Sequence, residues 1–155
     1  MQYISVLAGY GGGVGGDELF DYGWRFGEQP RRLLTFAVGR HTPLPPGKPP
    51  RFHVNAVDDP FFVIDEKRAA EGLQLYNATC ALCHGAELKS TGSTAPDLRE
   101  SALAMSWEAF KSVLHEGKLA AMGMPKYDDL SVEDMRAIFM YVRHGARQAA
   151  LSVRK

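Results

Sequence analysis

The stretch that most constrains this chain is Cys80-Ala-Leu-Cys83-His84, a Cys-x-x-Cys-His pentapeptide. On a helical turn, two cysteines three positions apart lie on one face, so both can bond to one cofactor. The histidine that follows them is carried beneath that cofactor. In this pattern the two thiols bond to the vinyl groups of a haem, and the imidazole binds its iron. The pentapeptide therefore predicts one covalently attached haem c, with Cys80 and Cys83 as attachment points and His84 as an axial ligand.

A Cys-x-x-Cys pair also occurs in dithiol redox sites and in zinc sites. A thioredoxin-like dithiol would need a βαβ context, and a cysteine-based zinc site usually has two more ligands of similar kind. The chain has two cysteines, and none of its four other histidines is spaced to pair with them. Haem attachment is therefore the preferred interpretation, with a non-haem dithiol or zinc protein as the alternative.

The charge pattern does not favour a polyanionic partner. With 18 basic and 18 acidic residues the formal net charge is zero, and neither sign forms a long block, so nucleic acid is not expected. No run approaches the roughly 18 apolar residues of a membrane span, and no basic region follows Met1 as in a secretory signal. Because thioether attachment is expected outside the cytoplasm, we expect a periplasmic location, with an export signal that was removed or belongs to a longer chain.

The first 40 residues are typical of a sheet fragment. Residues 2–8 (QYISVLA) and 32–38 (RLLTFAV) alternate bulky and small side chains as strands do. An isolated strand pair buries too little surface to stand alone in water, so this part is expected to be mobile or to pair with another chain. The glycines of residues 11–16 formally match G-x-G-x-x-G, but the residues that follow make a poor helix. A flexible loop is preferred over a dinucleotide site.

A proline-rich segment follows and predicts a semi-rigid linker over residues 41–64. It also holds His41 and His53, which are interpreted as solvated. Its prolines are Pro43, Pro45, Pro46, Pro49, Pro50 and Pro60.

After the linker the hydrophobic period becomes 3.6, which predicts helices. Asp65, Ser106 and Ser131 are placed to begin three of them, and Ser131 forms a capping-box-like pair with Asp134. The expected inward positions are Ala69, Gly72, Leu73 and Tyr76 in the first helix, Trp107, Phe110 and Leu114 in the second, and Met135, Ile138, Phe139 and Val142 in the last. Such helices can fold around one large apolar cofactor within residues 65–155.

A haem used for electron transfer needs a second axial ligand, and a thioether raises its potential. Met124 is the preferred sixth ligand, because Pro125 restricts the backbone after it and Gly123 lets the loop approach closely. Met122 is the rival. On the other side, the Pro96 carbonyl is expected to accept a hydrogen bond from the His84 ring.

Arg99 is a candidate partner for a haem propionate, and a solvated surface charge is the alternative. The remaining histidines of the helical part, His115 and His144, are interpreted as surface residues.

Residues 65–149, with CALCHG, APDLR, GMPKYDD and SVEDMRAIFMYVR, resemble a class I cytochrome c domain. More narrowly, they resemble the C-terminal haem domain of the quinohaemoprotein alcohol dehydrogenases. Those enzymes join a β-propeller carrying pyrroloquinoline quinone (PQQ) to a cytochrome through a proline-rich linker. YISVLAGYGGG and RRLLTFAVGRHTPLPP are similar to the last propeller strands and the start of that linker.

The resemblance implies a mainly α fold: a class I cytochrome c domain at 65–155, preceded by a short β-hairpin at 1–40 and the linker at 41–64. It implies His84 and Met124 as axial ligands, and it implies that Gly72 and Tyr76 meet Tyr141 where the first and last helices cross. Most of the propeller of those enzymes is missing, with its PQQ site, its metal ion and its catalytic carboxylate, so this chain is not expected to oxidise an alcohol by itself.

The expected function is one-electron transfer from a PQQ dehydrogenase domain to a soluble periplasmic acceptor, such as a cytochrome c or a blue copper protein. No residue of the chain is expected to be catalytic. A free-standing monohaem cytochrome c is the first alternative, although a diffusible carrier has no use for an unpaired sheet fragment. A haem-based sensor or peroxidase-like protein is the second, and the Met124-Pro125 loop argues against the open iron position that it would need.

Overall fold

The computed structural model describes residues 2–9, 22–28, 30–90 and 95–153. The glycine cluster at residues 11–16 lies outside the described residues, so its interpretation as a flexible loop stays a prediction. Within the described ranges, no helix is long and apolar enough to cross a membrane.

The N-terminal part forms a two-stranded antiparallel hairpin of β1 (Tyr3–Ala8) and β2 (Arg32–Ala37). Tyr3 lies opposite Ala37, and the hydroxyls of Ser5 and Thr35 are 2.9 Å apart across the strands. The two predicted strands are confirmed. Six large apolar side chains of the hairpin are exposed: Tyr3, Ile4, Val6, Leu7, Leu33 and Phe36. Such exposure is consistent with the prediction that the hairpin belongs to a larger sheet, which stays a prediction.

The C-terminal part is helical. Its α-helices are α1 (Glu66–Thr79), α2 (Ala81–His84), α3 (Trp107–His115) and α4 (Val132–Ser152). Short 3-10 turns cover Ala86–Leu88, Leu98–Glu100, Ala102–Met105 and Ala120–Met122.

The helix starts follow from local capping chemistry. Asp65 accepts from the Arg68 amide at the start of α1, and Ser106 accepts from the Ala109 amide at the start of α3. Ser131 begins α4 with a complete capping box. Each side-chain oxygen satisfies a backbone N–H that the first helical turn leaves without a partner. The three predicted helix starts are confirmed.

Helices α1 and α4 cross at Gly72. A Cβ at this position would overlap the carbonyl oxygen of Ala137 in α4, so the two backbones are in direct contact. One turn further along, the rings of Tyr76 and Tyr141 lie 5.2 Å apart. The crossing expected for Tyr76 and Tyr141 is present, and Gly72 lies against Ala137 within it.

The core lies between α1, α3 and α4. Met135, Ile138 and Val142 are fully buried, as the predicted stripe of α4 requires. Phe139 extends this core towards α3, with its ring 5.3 Å from that of Phe110. Burial of these side chains is the main favourable term that holds the three helices together.

The end of the proline-rich segment packs against α4. Asp58 accepts from both Arg143 and Arg147, at 2.9 Å and 3.0 Å. Arg143 is only 1% exposed, so its charge depends on Asp58 for compensation. Beside this pair, the Phe62 ring meets the Phe139 ring edge to face at 5.8 Å. The last residues of the predicted linker therefore contribute to the helical domain.

The start of the proline-rich segment is held by the hairpin. The Arg32 guanidinium donates to the carbonyl oxygens of Pro45 and Pro46, at 2.9 Å and 2.7 Å. Prolines leave their carbonyls available as acceptors while removing the amide donor. The extended segment is thus bonded to the structured parts at both of its ends.

Candidate cofactor site

The two cysteines and the histidine lie on consecutive turns at the end of α1 and in α2. The Cys80 amide closes the last turn of α1 by donating to Tyr76 O at 2.8 Å, and the His84 amide donates to Cys80 O at 2.9 Å. Both cysteines are free thiols; Cys80 is buried and Cys83 is partly buried. Burial raises the pKa of Cys80, so its thiol is protonated at neutral pH. The helical geometry brings both thiols and the imidazole to one small region.

Tyr76 supports the turn that follows the histidine. Its hydroxyl donates to the carbonyl of Gly85 at 2.6 Å, in a fully buried position. Burial strongly raises the pKa of Tyr76, so the phenol keeps its proton and remains a donor. This bond fixes the chain directly after His84.

The two nitrogens of the His84 ring have different hydrogen-bonding surroundings. Nδ1 lies 2.8 Å from the carbonyl oxygen of Pro96 and must donate, because a carbonyl can only accept. Nε2 is buried and has no hydrogen-bond partner among the described residues. Burial lowers the pKa of His84, which favours the neutral ring with a lone pair on Nε2.

This arrangement fits a metal-ligating imidazole. A buried nitrogen without a partner is costly, and coordination to iron would satisfy it. The two free thiols nearby could form the thioether bonds that attach a c-type haem, so the residues present fit that group.

Pro96 directly precedes Asp97 and the 3-10 turn Leu98–Glu100, and Arg99 lies within this turn. The Asp97 carboxylate accepts from the Arg99 guanidinium at 2.7 and 2.9 Å, as well as from the Arg99 amide. Because the Arg99 side chain is 12% exposed, the solvated surface charge considered from the sequence does not describe it. A propionate contact by Arg99 stays a prediction, and its guanidinium would then be shared between the propionate and Asp97.

The loop after α3 presents two methionines to different surroundings. Met124 is half-buried and packs against the core, whereas Met122 is 82% exposed. Between them Gly123 adopts a left-handed conformation with φ of 94°, which side chains with a Cβ rarely tolerate. The turn at Gly123 therefore directs the two methionines differently, and Met124 has the more sheltered position.

Tyr127 fastens this loop to the rest of the site. Its amide donates to Leu114 O at the end of α3, at 2.8 Å, and its hydroxyl donates to Thr79 O at 3.0 Å. Thr79 directly precedes Cys80, so the bond joins the methionine loop to the cysteine turn. Tyr127 was not predicted from the sequence, where the available signal is an aromatic residue three positions after Met124.

The other histidines of the helical part have ordinary surroundings. His115 is exposed, and the His144 ring lies 3.3 Å from the Glu66 carboxylate. Across the described ranges, no group of three or more histidine, cysteine, aspartate or glutamate side chains is arranged to hold a metal ion.

Comparisons with known proteins match both the helical part and nearly the whole chain. Residues 67–142 match the family described as cytochrome c oxidase, cbb3-type, subunit III. The chain is 37% identical over 145 residues to the quinohemoprotein alcohol dehydrogenase ADH IIB of Pseudomonas putida, covering 91% of this chain and 20% of that protein. It is 30% identical over 142 residues to the dehydrogenase subunit of alcohol dehydrogenase (quinone) from Gluconobacter oxydans (strain 621H), covering 87% and 18%.

A further relative and a solved structure agree with these matches. Lupanine 17-hydroxylase (cytochrome c) of Pseudomonas sp is 29% identical over 143 residues, covering 91% of this chain and 20% of that protein. The structure of quinohemoprotein alcohol dehydrogenase ADHIIG from Pseudomonas putida HK5 superimposes with a TM-score of 0.66 at 24% identity, covering 97% of this chain and 21% of that chain. The chain therefore shares the fold of the matching fifth of that structure. It spans about a fifth of the length of the first relatives named.

Proposed function

Because residues 67–142 form a cytochrome c domain of the kind found at the C-terminal end of quinohemoprotein alcohol dehydrogenases, we propose that this chain holds one covalent haem c and passes single electrons through it. Domains of this family transfer electrons. In the proposal, Cys80 and Cys83 attach the haem, and His84 binds its iron through Nε2. The haem supplies an iron that cycles between Fe(III) and Fe(II).

The observation that carries this proposal is the state of the His84 ring. Pro96 O accepts from Nδ1 and fixes the orientation of the ring, while Nε2 is buried and has no partner among the described residues. A carbonyl on the far nitrogen also increases the basicity of the ligating one. A dithiol protein would have no use for a histidine held in this way.

Met124 is the proposed second axial ligand. Its half-buried position beside the core favours it over Met122, whose side chain is 82% exposed. A thioether ligand raises the reduction potential relative to a second histidine. The protein's contribution is then to keep both axial side chains oriented and to exclude water from them.

The electron donor and acceptor are proposed from the chemistry of the relatives. Their names describe quinone-containing alcohol dehydrogenases, so the proposed donor is a quinol form of PQQ in a propeller domain. PQQ and its metal ion would be held outside this chain. The proposed acceptor is a soluble cytochrome c or blue copper protein in the periplasm, where haem attachment through thioethers is expected.

The attachment of haem can be tested by acid–acetone extraction of the protein expressed with a haem-ligation system. We expect the haem to stay with the precipitated wild-type chain, because thioether bonds survive extraction. In Cys80→Ser/Cys83→Ser the haem should pass into the acetone, and Cys83→Ser should retain one thioether, which the pyridine haemochrome spectrum distinguishes. Release of all haem from the wild-type chain would refute covalent attachment.

Tyr127→Phe should loosen the methionine loop without removing the haem. The variant loses the hydroxyl bond to Thr79 O, a loss of about 1 kcal/mol for a typical hydrogen bond. We expect an exogenous ligand such as imidazole to displace the methionine with an affinity about fivefold higher, measured by optical titration of the ferric protein. Tyr22→Phe removes a hydroxyl from a ring that is 73% exposed and serves as the matched control. Equal imidazole affinity in both variants would contradict the role of the Tyr127 hydroxyl.

A further inference from the structure

Arg51 lies in the proline-rich segment and bonds to two other parts of the chain. Its guanidinium donates to the Glu100 carboxylate at 2.6 and 2.9 Å, and to the Glu28 carboxylate at 2.8 Å. The Arg51 side chain is 13% exposed, so both ion pairs are largely shielded from solvent. A planar guanidinium shared by two carboxylates fixes their direction as well as their distance.

The backbone near Arg51 connects the same parts. The Arg51 amide donates to Gly23 O at 2.9 Å, and the Val57 amide donates to Arg99 O at 2.9 Å. The first bond reaches the segment that leads into β2, and the second reaches the turn after Pro96. Main-chain bonds of this kind align extended segments without any demand on side-chain type.

The contact is a balanced cluster of charges. Within the described ranges it contains three cations and three anions, namely Arg25, Arg51, Arg99, Glu28, Asp97 and Glu100. Arg25 is 1% exposed, and burial together with the charge of Arg51 lowers its pKa. Burial alone would raise the pKa of Glu100, but hydrogen bonds from Arg51 and Asn55 lower it. The Arg51 charge is therefore compensated by Glu28 and Glu100 from two other segments, whereas Arg99 pairs with Asp97 within its own turn.

The cluster lies on the histidine side of the cofactor site. Glu100 ends the turn Leu98–Glu100, which follows Pro96 closely. Because the Pro96 carbonyl accepts from His84 Nδ1, the turn that Arg51 holds is also the turn that orients the axial histidine.

We propose that Arg51 is a positioning residue that fastens residues 22–28, and with them the hairpin side of the chain, to the turn on the His84 side of the cofactor site. The inference rests on the proposed function, in which the electron donor lies on the hairpin side of the chain. With residues 22–28 held in this way, the donor would reach the haem from the side of His84. The Met124 loop then remains accessible to an acceptor.

Amide hydrogen exchange of the whole chain tests the attachment directly. In Arg51→Gln we expect the amide of residue 51 to exchange about tenfold faster, the factor expected when a contact containing hydrogen bonds to charged groups opens locally. The Val57 amide should keep its protection, because its bond to Arg99 O does not involve the Arg51 side chain. Unchanged exchange at residue 51 would overturn the proposal.

The fluorescence emission of Trp24 gives a second test, because it depends on the distance between this residue and the haem. Trp24 adjoins Arg25 in the fastened segment, and haem absorbs where tryptophan emits, so a nearby haem quenches it. In a Trp107→Phe background, Arg51→Gln should raise Trp24 emission about twofold or more, because the released segment can move away on its proline-rich linker. The reduction potential should stay unchanged, since the haem ligands are untouched.

Two further variants control for general destabilisation. Glu28→Gln removes the Arg51 contact on the hairpin side only, and should raise Trp24 emission while the Glu100 contact persists. Arg68→Gln breaks the partly exposed ion pair with Glu133 within the helical domain, and should leave Trp24 emission unchanged. If Arg51→Gln lost its haem, Arg51 would be needed for the haem site itself, and the positioning role would be wrong.

Failure of the proposed function has a different signature. If the wild-type chain carried no covalent haem, Trp24 emission would be high in every variant, and extraction would show the absence directly. The exchange of the residue 51 amide would still report on the attachment, because it does not require a haem.

Discussion

Met124→Ala is expected to remove the methionine–iron charge-transfer band in the near-red spectrum of the ferric protein. The thioether is the proposed sixth ligand, so its loss leaves the iron open to water or added imidazole. We expect the reduction potential to fall by on the order of 0.1 V, since axial ligands vary haem potentials over about 0.8 V. Spectroscopic redox titration of the two proteins measures both effects.

Met122→Ala is the matched control for this variant. The two methionines are two positions apart in one loop, but the Met122 side chain is 82% exposed and Met124 packs against the core. The control should keep both the band and the potential. Loss of the band in Met122→Ala, with its retention in Met124→Ala, would show that the wrong sulfur was chosen.

Gly72→Ala is expected to destabilise the helical domain by about 3 kcal/mol. Its added Cβ would overlap the backbone carbonyl of Ala137, and two helix backbones cannot yield as a flexible side chain can. The helices α1 and α4 would have to separate, which loosens the packing between Tyr76 and Tyr141. Urea-induced unfolding followed by circular dichroism gives the free energy of unfolding.

Gly145→Ala provides a comparison at a glycine of α4. A Cβ at this position would meet the end of the Leu88 side chain, which can rotate away. The better helix propensity of alanine, about 1 kcal/mol, offsets part of the cost. We expect a change within about 1 kcal/mol, and an effect as large as that of Gly72→Ala would contradict the explanation by backbone contact.

The features that the sequence predicted well are local ones. The caps at Asp65, Ser106 and Ser131 each involve residues within four positions, so their chemistry is visible in a short stretch of sequence. The pentapeptide from Cys80 to His84 is equally local. The hydrogen bond from His84 to the Pro96 carbonyl was expected because a histidine that binds a metal through one ring nitrogen usually donates from the other.

The features that the sequence did not reveal depend on distant partners. Arg143 and Arg147 of the last helix pair with Asp58, 85 or more positions earlier, and no local pattern indicates this partner. Arg51 likewise belongs to a segment that composition describes only as extended. An arginine in a sequence has the same appearance whether it is solvated or paired, and tertiary packing alone decides between the two.

The bonds at both ends of the proline-rich segment limit how far the two parts of the chain can separate. As an unattached polyproline spacer, residues 41–64 would span about 74 Å at ~3.1 Å per residue. Arg32 holds the carbonyls of Pro45 and Pro46, and Arg51 is held by Glu100. Between these two contacts lie residues 47–50, which span roughly 12 Å. Under the proposed function, an electron entering from the hairpin side would cross a nearly constant distance, and the haem domain would not need to swing and redock between turnovers.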